Sequence, residues 1–216
     1  LTPEQQQAID EGIEAYIQSQ LTNADRAESH LNIALVHTQR GHTDLAEQSY
    51  RTAIRVNPGF AQAYVNLADL YRSTDRDEQA LQLLRDAVDA GMKQGVVHYA
   101  LGLALVRHGQ APDAIHAFRQ AAELQPDDPQ FGYTLGIALN STGHPNQALA
   151  ALVDTHLRHP KDLSTLHALM TISHSQHDLD AALRYAHKLV ELNPPNVEPI
   201  RAFIVQIKKQ QEAQPR

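Results

Sequence analysis

The chain has 216 residues, 42% of them hydrophobic and 5% aromatic, with no Trp and no Cys. Its 25 acidic against 18 basic residues give a formal charge of -7 with no basic stripe, which argues against nucleic acid as the main partner. Without cysteine there is no disulfide framework, thiolate zinc site or CxxCH haem attachment, and no apolar run approaches the roughly 18 residues of a membrane span.

In chain order, residues 3–20 form the first predicted helix, with Gly12, Tyr16 and Ser19 in the same 34-residue phase as Ala46, Tyr50 and Ala53. Residues 1–26 are therefore expected to be an N-terminal half-repeat helix and linker. The chain begins with Leu1 and shows no signal peptide, which reads as a processed chain or a piece of a longer one. From residue 27 a period of 34 residues predicts five repeats, 27–60, 61–94, 95–128, 129–162 and 163–196. The register is carried by three columns in one phase. They are the prolines 58, 126, 160 and 194, the small residues Ala46, Ala80, Ala114, Ala148 and Ala182, and the apolar residues Ile33, Leu67, Leu101, Leu135 and Leu169.

Each repeat divides into two helices of about a dozen residues. Gly41, Asp75, Gly109, Gly143 and His177 fill the turn between them, where a left-handed residue ends the first helix. His177 is the least natural occupant. Met92 replaces the closing proline in DAGMKQG, where Gly91 and Gly95 are expected to end one helix and start the next. The fifth repeat fits the pattern most loosely, with Met170, Ser173, Ala186 and Leu189 where small, large, aromatic and small residues are wanted, which leaves its packing open. Over 197–216, Ile200, Phe203, Ile204 and Ile207 make one apolar stripe, predicting a capping helix, with a disordered tail from about Gln211.

Tyr64, Leu67, Ala68, Tyr71 and Ala80 in one repeat, and Leu101, Gly102, Ala114, Phe118, Ala121 and Pro126 in the next, carry a family pattern. Over 27–196 the chain resembles the tetratricopeptide repeat family. The resemblance implies an all-α fold, a right-handed α-solenoid of helix-turn-helix repeats with half-repeat or capping helices at both ends. It also implies a non-catalytic scaffold that holds a peptide or helical protein segment, or a domain of the same parent protein, in a concave groove lined by the first helices. The groove residues expected are Asn32, Leu35, Asn66, Asp69, Arg72, Tyr99, Leu103, Val106, Tyr133, Ile137, Asn140, His167 and His174. Asn66 matches the family's clamp for chaperone tails, but Leu31, Leu35, Val96 and Ala100 stand at its other positions, which disfavours that ligand.

No GxGxxG, P-loop, GxSxG or HExxH occurs, so no catalytic residue and no cofactor is expected. Asp127 and Asp128 read as turn or capping residues. The 13 histidines include pairs at helical spacing, His156 with His159 and His174 with His177, which leaves a metal or pH sensor as an alternative. His30 and His98 fall where the family has an aromatic, which reads as packing, and no metal site is expected. The phrases NADRAESHLNIAL, AYVNLADLYRSTDRDEQAL and HYALGLALVRHGQ also resemble the repeat region of some bacterial multihaem c-type cytochromes. That resemblance implies an accessory or docking domain of a periplasmic redox protein; otherwise a cytoplasmic location is expected.

Overall fold

The structure, a computed structural model, describes residues 2–213. Twelve α-helices and no strand occur among them. They are α1 (Pro3–Leu21), α2 (Ala27–Gln39), α3 (Thr43–Val56), α4 (Ala61–Ser73), α5 (Asp77–Asp89), α6 (Gly95–Arg107), α7 (Ala111–Leu124), α8 (Pro129–Ser141), α9 (Pro145–Arg158), α10 (Leu163–Ser175), α11 (Leu179–Glu191) and α12 (Glu198–Ala213). The chain forms two compact units, Leu1–Ala104 and Leu105–Arg216, so α6 contributes to both.

The column residues explain the pairing. Ala46, Ala80, Ala114, Ala148 and Ala182 are completely buried, as are or nearly are Ile33, Leu67, Leu101, Leu135 and Leu169. An alanine lets two backbones approach while the larger residue fills the space beside it, each buried Leu contributing about 1.5 to 3 kcal/mol. Between paired helices, Gly41, Asp75, Gly109, Gly143 and His177 all have positive φ, from 56° to 80°. There the turn needs a left-handed residue, and a side chain at such a position costs roughly 1 to 2 kcal/mol. Asp75 and His177 carry that strain. Between α5 and α6, Gly91 is left-handed as well, at φ 89°, and takes over the punctuation that a proline supplies elsewhere.

In the first compact unit, Glu47 on α3 ties three helices together. It accepts from Arg76 at 2.7 Å and from the Tyr71 hydroxyl at 3.0 Å, and Arg51 lies 2.8 Å away. The Arg76 guanidinium also stacks 4.5 Å over the Tyr71 ring. Burial alone would raise the Glu47 carboxyl, but the hydrogen bonds from Arg76 and Tyr71 outweigh it and hold the group below its ordinary range. Helix α1 packs on α2 through Asp10, which accepts from Arg40 at 2.7 Å. None of its residues is buried. Tyr16 is 41% exposed, whereas its counterpart Tyr50 is fully covered, because α2 packs against α3 and no described helix takes that place against α1.

In the second compact unit, Asp128, Asp162 and Asp178 cap α8, α10 and α11 by accepting from the backbone N–H groups of Gln130, Thr165 and Ala181. Asp128 thus has the capping role expected of it. The irregular fifth repeat is packed. Leu166, Met170, Ala186 and Leu189 form one buried cluster with Ile200 and Ile204 of α12, and Leu163, Tyr185 and Phe203 pack around it. Residues that depart from the repeat pattern within α10 and α11 fit because α12 supplies the facing surface. That helix continues past Gln211, whose amide donates to Asp180 at 2.7 Å, as far as Ala213. The remainder of the expected tail, 214–216, lies outside the described residues.

Candidate protein-binding face

The first helix of each repeat, α2, α4, α6, α8 and α10, turns its columns Ile33 to Leu169 inward, which leaves the opposite side of the helix at the surface. In the first compact unit, Leu35 is exposed, and Tyr99 and Leu103 are half-buried. Arg72 Nε lies 3.4 Å from the Asp69 carboxylate, one turn away on α4, with both side chains in solvent. Asn32 is half-buried and its amide donates to Gln20 of α1 at 3.0 Å. The oxygen of Asn66 accepts from Gln62 on the same helix at 2.7 Å. Both asparagines are therefore engaged within the chain, and a ligand at Asn66 would exchange for a surface glutamine.

In the second compact unit, Val106, Ile137, Asn140 and His167 are exposed and Tyr133 is half-buried. Val106 is the most open of these apolar side chains of the first helices, at 51%. His174 is half-buried, with its ring 5.2 Å from Phe203 of α12 in an edge-on contact. The structure therefore uses His174 to seat the last helix.

The histidine pairs have separate neighbours. His156 is buried, 2.8 Å from Lys188 and edge-on to Tyr185, while His159 reaches the Pro126 carbonyl at 2.9 Å. Burial, followed by the Lys188 charge, lowers the pKa of His156. His30 and His98 pack as rings and bond the carbonyls of Ala24 and Met92. Among the described residues, no three His, Asp or Glu side chains come together as a metal would require. None of their helices is long and apolar enough to cross a membrane.

One feature of the second unit lies outside the residues singled out from sequence. Gly132 on α8 faces Thr155 of α9 so closely that a Cβ there would run into the Thr155 hydroxyl. The signal for it was the column His30, Tyr64, His98, which breaks at Gly132.

Comparison with known proteins places these features in a family. The model of the tetratricopeptide repeat matches residues 3–158. The human protein O-mannosyl-transferase TMTC3 is 25% identical over 161 residues, 68% of this chain and 18% of that protein. The corepressor trfA of Dictyostelium discoideum is 30% identical over 118 residues, 52% of this chain and 8% of its own length. The chain thus spans less than a fifth of the length of the curated relatives it matches. Among solved structures, YrrB, described as a TPR protein with an unusual peptide-binding site, superposes with a TM-score of 0.63 at 22% identity, covering 88% of this chain and 98% of that one. Yeast Tom70 superposes with a TM-score of 0.71 at 14% identity, covering 94% of this chain and 44% of its own. These likenesses are of fold.

Proposed function

This chain belongs to the tetratricopeptide repeat family, whose members mediate protein–protein interactions, and we propose that it is a non-catalytic scaffold holding a protein segment against its first helices. The observation that carries the reading is the apolar side chains left in solvent on the first helices of each compact unit. Leu35 in one compact unit, and Val106 and Ile137 in the other, remain open although the columns beside them are buried. Exposed apolar area that nothing in the repeat covers is the surface a partner segment desolvates. Tyr99 and Tyr133 add area with a polar tip, the kind of side chain that anchors interfaces. Asp69 and Arg72 discriminate among partners by charge, and solvent screening keeps their share of the affinity small.

The experiment combines capture and mapping. A photo-crosslinking residue is placed at Leu35, on a first helix, or at Gln82, on a second helix of the same compact unit, and the full chain is used to capture partners from an extract of the source organism. Crosslinks to one partner from position 35 and not from 82 are expected. Tyr99→Ala and Asn66→Ala should each weaken that partner by about 1 to 3 kcal/mol without lowering the melting temperature. Crosslinks from 82 alone, or unchanged affinity in both variants, would overturn the assignment.

A further inference from the structure

In three repeats, the fourth residue of the first helix is a ring that bonds a backbone carbonyl six residues upstream. His30 Nε2 lies 2.8 Å from Ala24 O, the Tyr64 hydroxyl donates to Pro58 O at 3.2 Å, and His98 Nε2 lies 3.1 Å from Met92 O. The fourth repeat has Gly132 at this position, and the carbonyl its ring would reach is that of Pro126. His159, from the far end of the repeat, takes that carbonyl instead, at 2.9 Å. The hydrogen bond of the missing ring has been replaced. Its volume has been replaced only in part, by Thr155, where the three ring-bearing repeats have Ala53, Ala87 and Ala121.

Beside Gly132 and Thr155 lies an open cleft of about 570 Å³ lined by residues of α7, α8 and α9. Its lining combines small and apolar residues, Ala122, Gly132, Leu135 and Ala151 among them, with polar ones that include Glu123 and Gln147. Around it stand Arg119 and Arg158, the latter 3.0 Å from Asp154. Small walls of this kind accept a flat group, guanidinium planes stack on aromatic faces, and a carboxylate accepts from a phenolic hydroxyl.

We propose that this cleft receives a tyrosyl side chain from a protein partner, docking on the face formed by α7 and α9. At the position of Gly132 the second repeat carries a tyrosine, Tyr64, and two other repeats carry histidine rings. Ring area then packs on Ala122, Leu135 and Ala151, the hydroxyl donates to Asp154, and Arg119 and Arg158 flank the ring. The site is separate from the first-helix face, and the two can fail independently.

The test uses the 15N-labelled full chain titrated with N-acetyl-L-tyrosinamide, with N-acetyl-L-leucinamide as the non-aromatic control. Saturable amide shifts at Gly132, Ala151 and Thr155 are expected with the tyrosyl probe and not with the leucyl one. Two variants fill the cleft. Gly132→Tyr with Thr155→Ala restores the pattern of the ring-bearing repeats, and Ala151→Phe fills it from the α9 side; both should abolish the shifts. If the double variant does not fold by circular dichroism, Ala151→Phe decides. No saturable shift in the wild type, equal shifts with the leucyl probe, or binding that survives in a folded filled variant would each overturn the proposal.

Discussion

His156 accepts from Lys188 through Nε2 at 2.8 Å, while its buried Nδ1 has no partner. Both facts suit a neutral ring. A proton there would be buried beside a lysine charge, which is why the folded ring resists protonation and its pKa lies below the usual 6.5. The unfolded chain takes up that proton near 6.5, so between the two values it binds more protons than the folded chain, and stability rises with pH across that window. The contribution is complete above about 6.5 and is lost as pH falls towards the lowered folded value. His37, also lowered by burial and then by His42, acts in the same direction. Urea denaturation at several pH values should therefore show stability falling below about pH 6.5, and His156→Gln should flatten that dependence. A slope identical to wild type would mean that His156 does not set it. Residue type and spacing made this ring look like half of a metal pair with His159; only its neighbours Lys188 and Tyr185, on another helix, gave it a different role.

Between helices, the decisive quantity is how closely two backbones approach. Ala148 on α9 is completely buried, and on the facing α8 a Cβ at Gly136 would run into Leu152. Ala148→Leu should overpack this contact and destabilise the protein by about 1 to 3 kcal/mol, read as a lower denaturation midpoint at an unchanged slope. An unchanged midpoint would show that the pair can separate without loss. The need for small residues at Ala46 to Ala182, and for a left-handed residue at Gly41 to His177, was legible in sequence because each belongs to a fixed step of the period. The exchange among Gly132, Thr155 and His159 was not legible in the same way. It joins residues 23 and 27 positions apart whose individual departures look unrelated until the fold brings them to one place.

For the molecule as a whole, the ends set what the repeats cannot. Ile200 and Ile204 bury themselves against Leu166, Met170, Ala186 and Leu189, so a chain ending at residue 196 should expose that cluster. Such a chain is expected to aggregate or to lose protection in hydrogen exchange over 163–196; if it stays monomeric and equally stable, α12 is dispensable. The sequence by itself determined the all-helical character, the 34-residue period, the columns that become the core and the left-handed turns, because helical patterning and backbone sterics act over a few residues and recur at each repeat. Only the tertiary structure decided which polar groups of the first helices already have partners, as Asn32 has Gln20 and Asn66 has Gln62. It also decided that the irregular fifth repeat packs against α12 and that Gly132 lines a cleft. Those outcomes depend on which side chain from a different helix arrives at a given position, and a pattern of spacings within one helix contains no term for that.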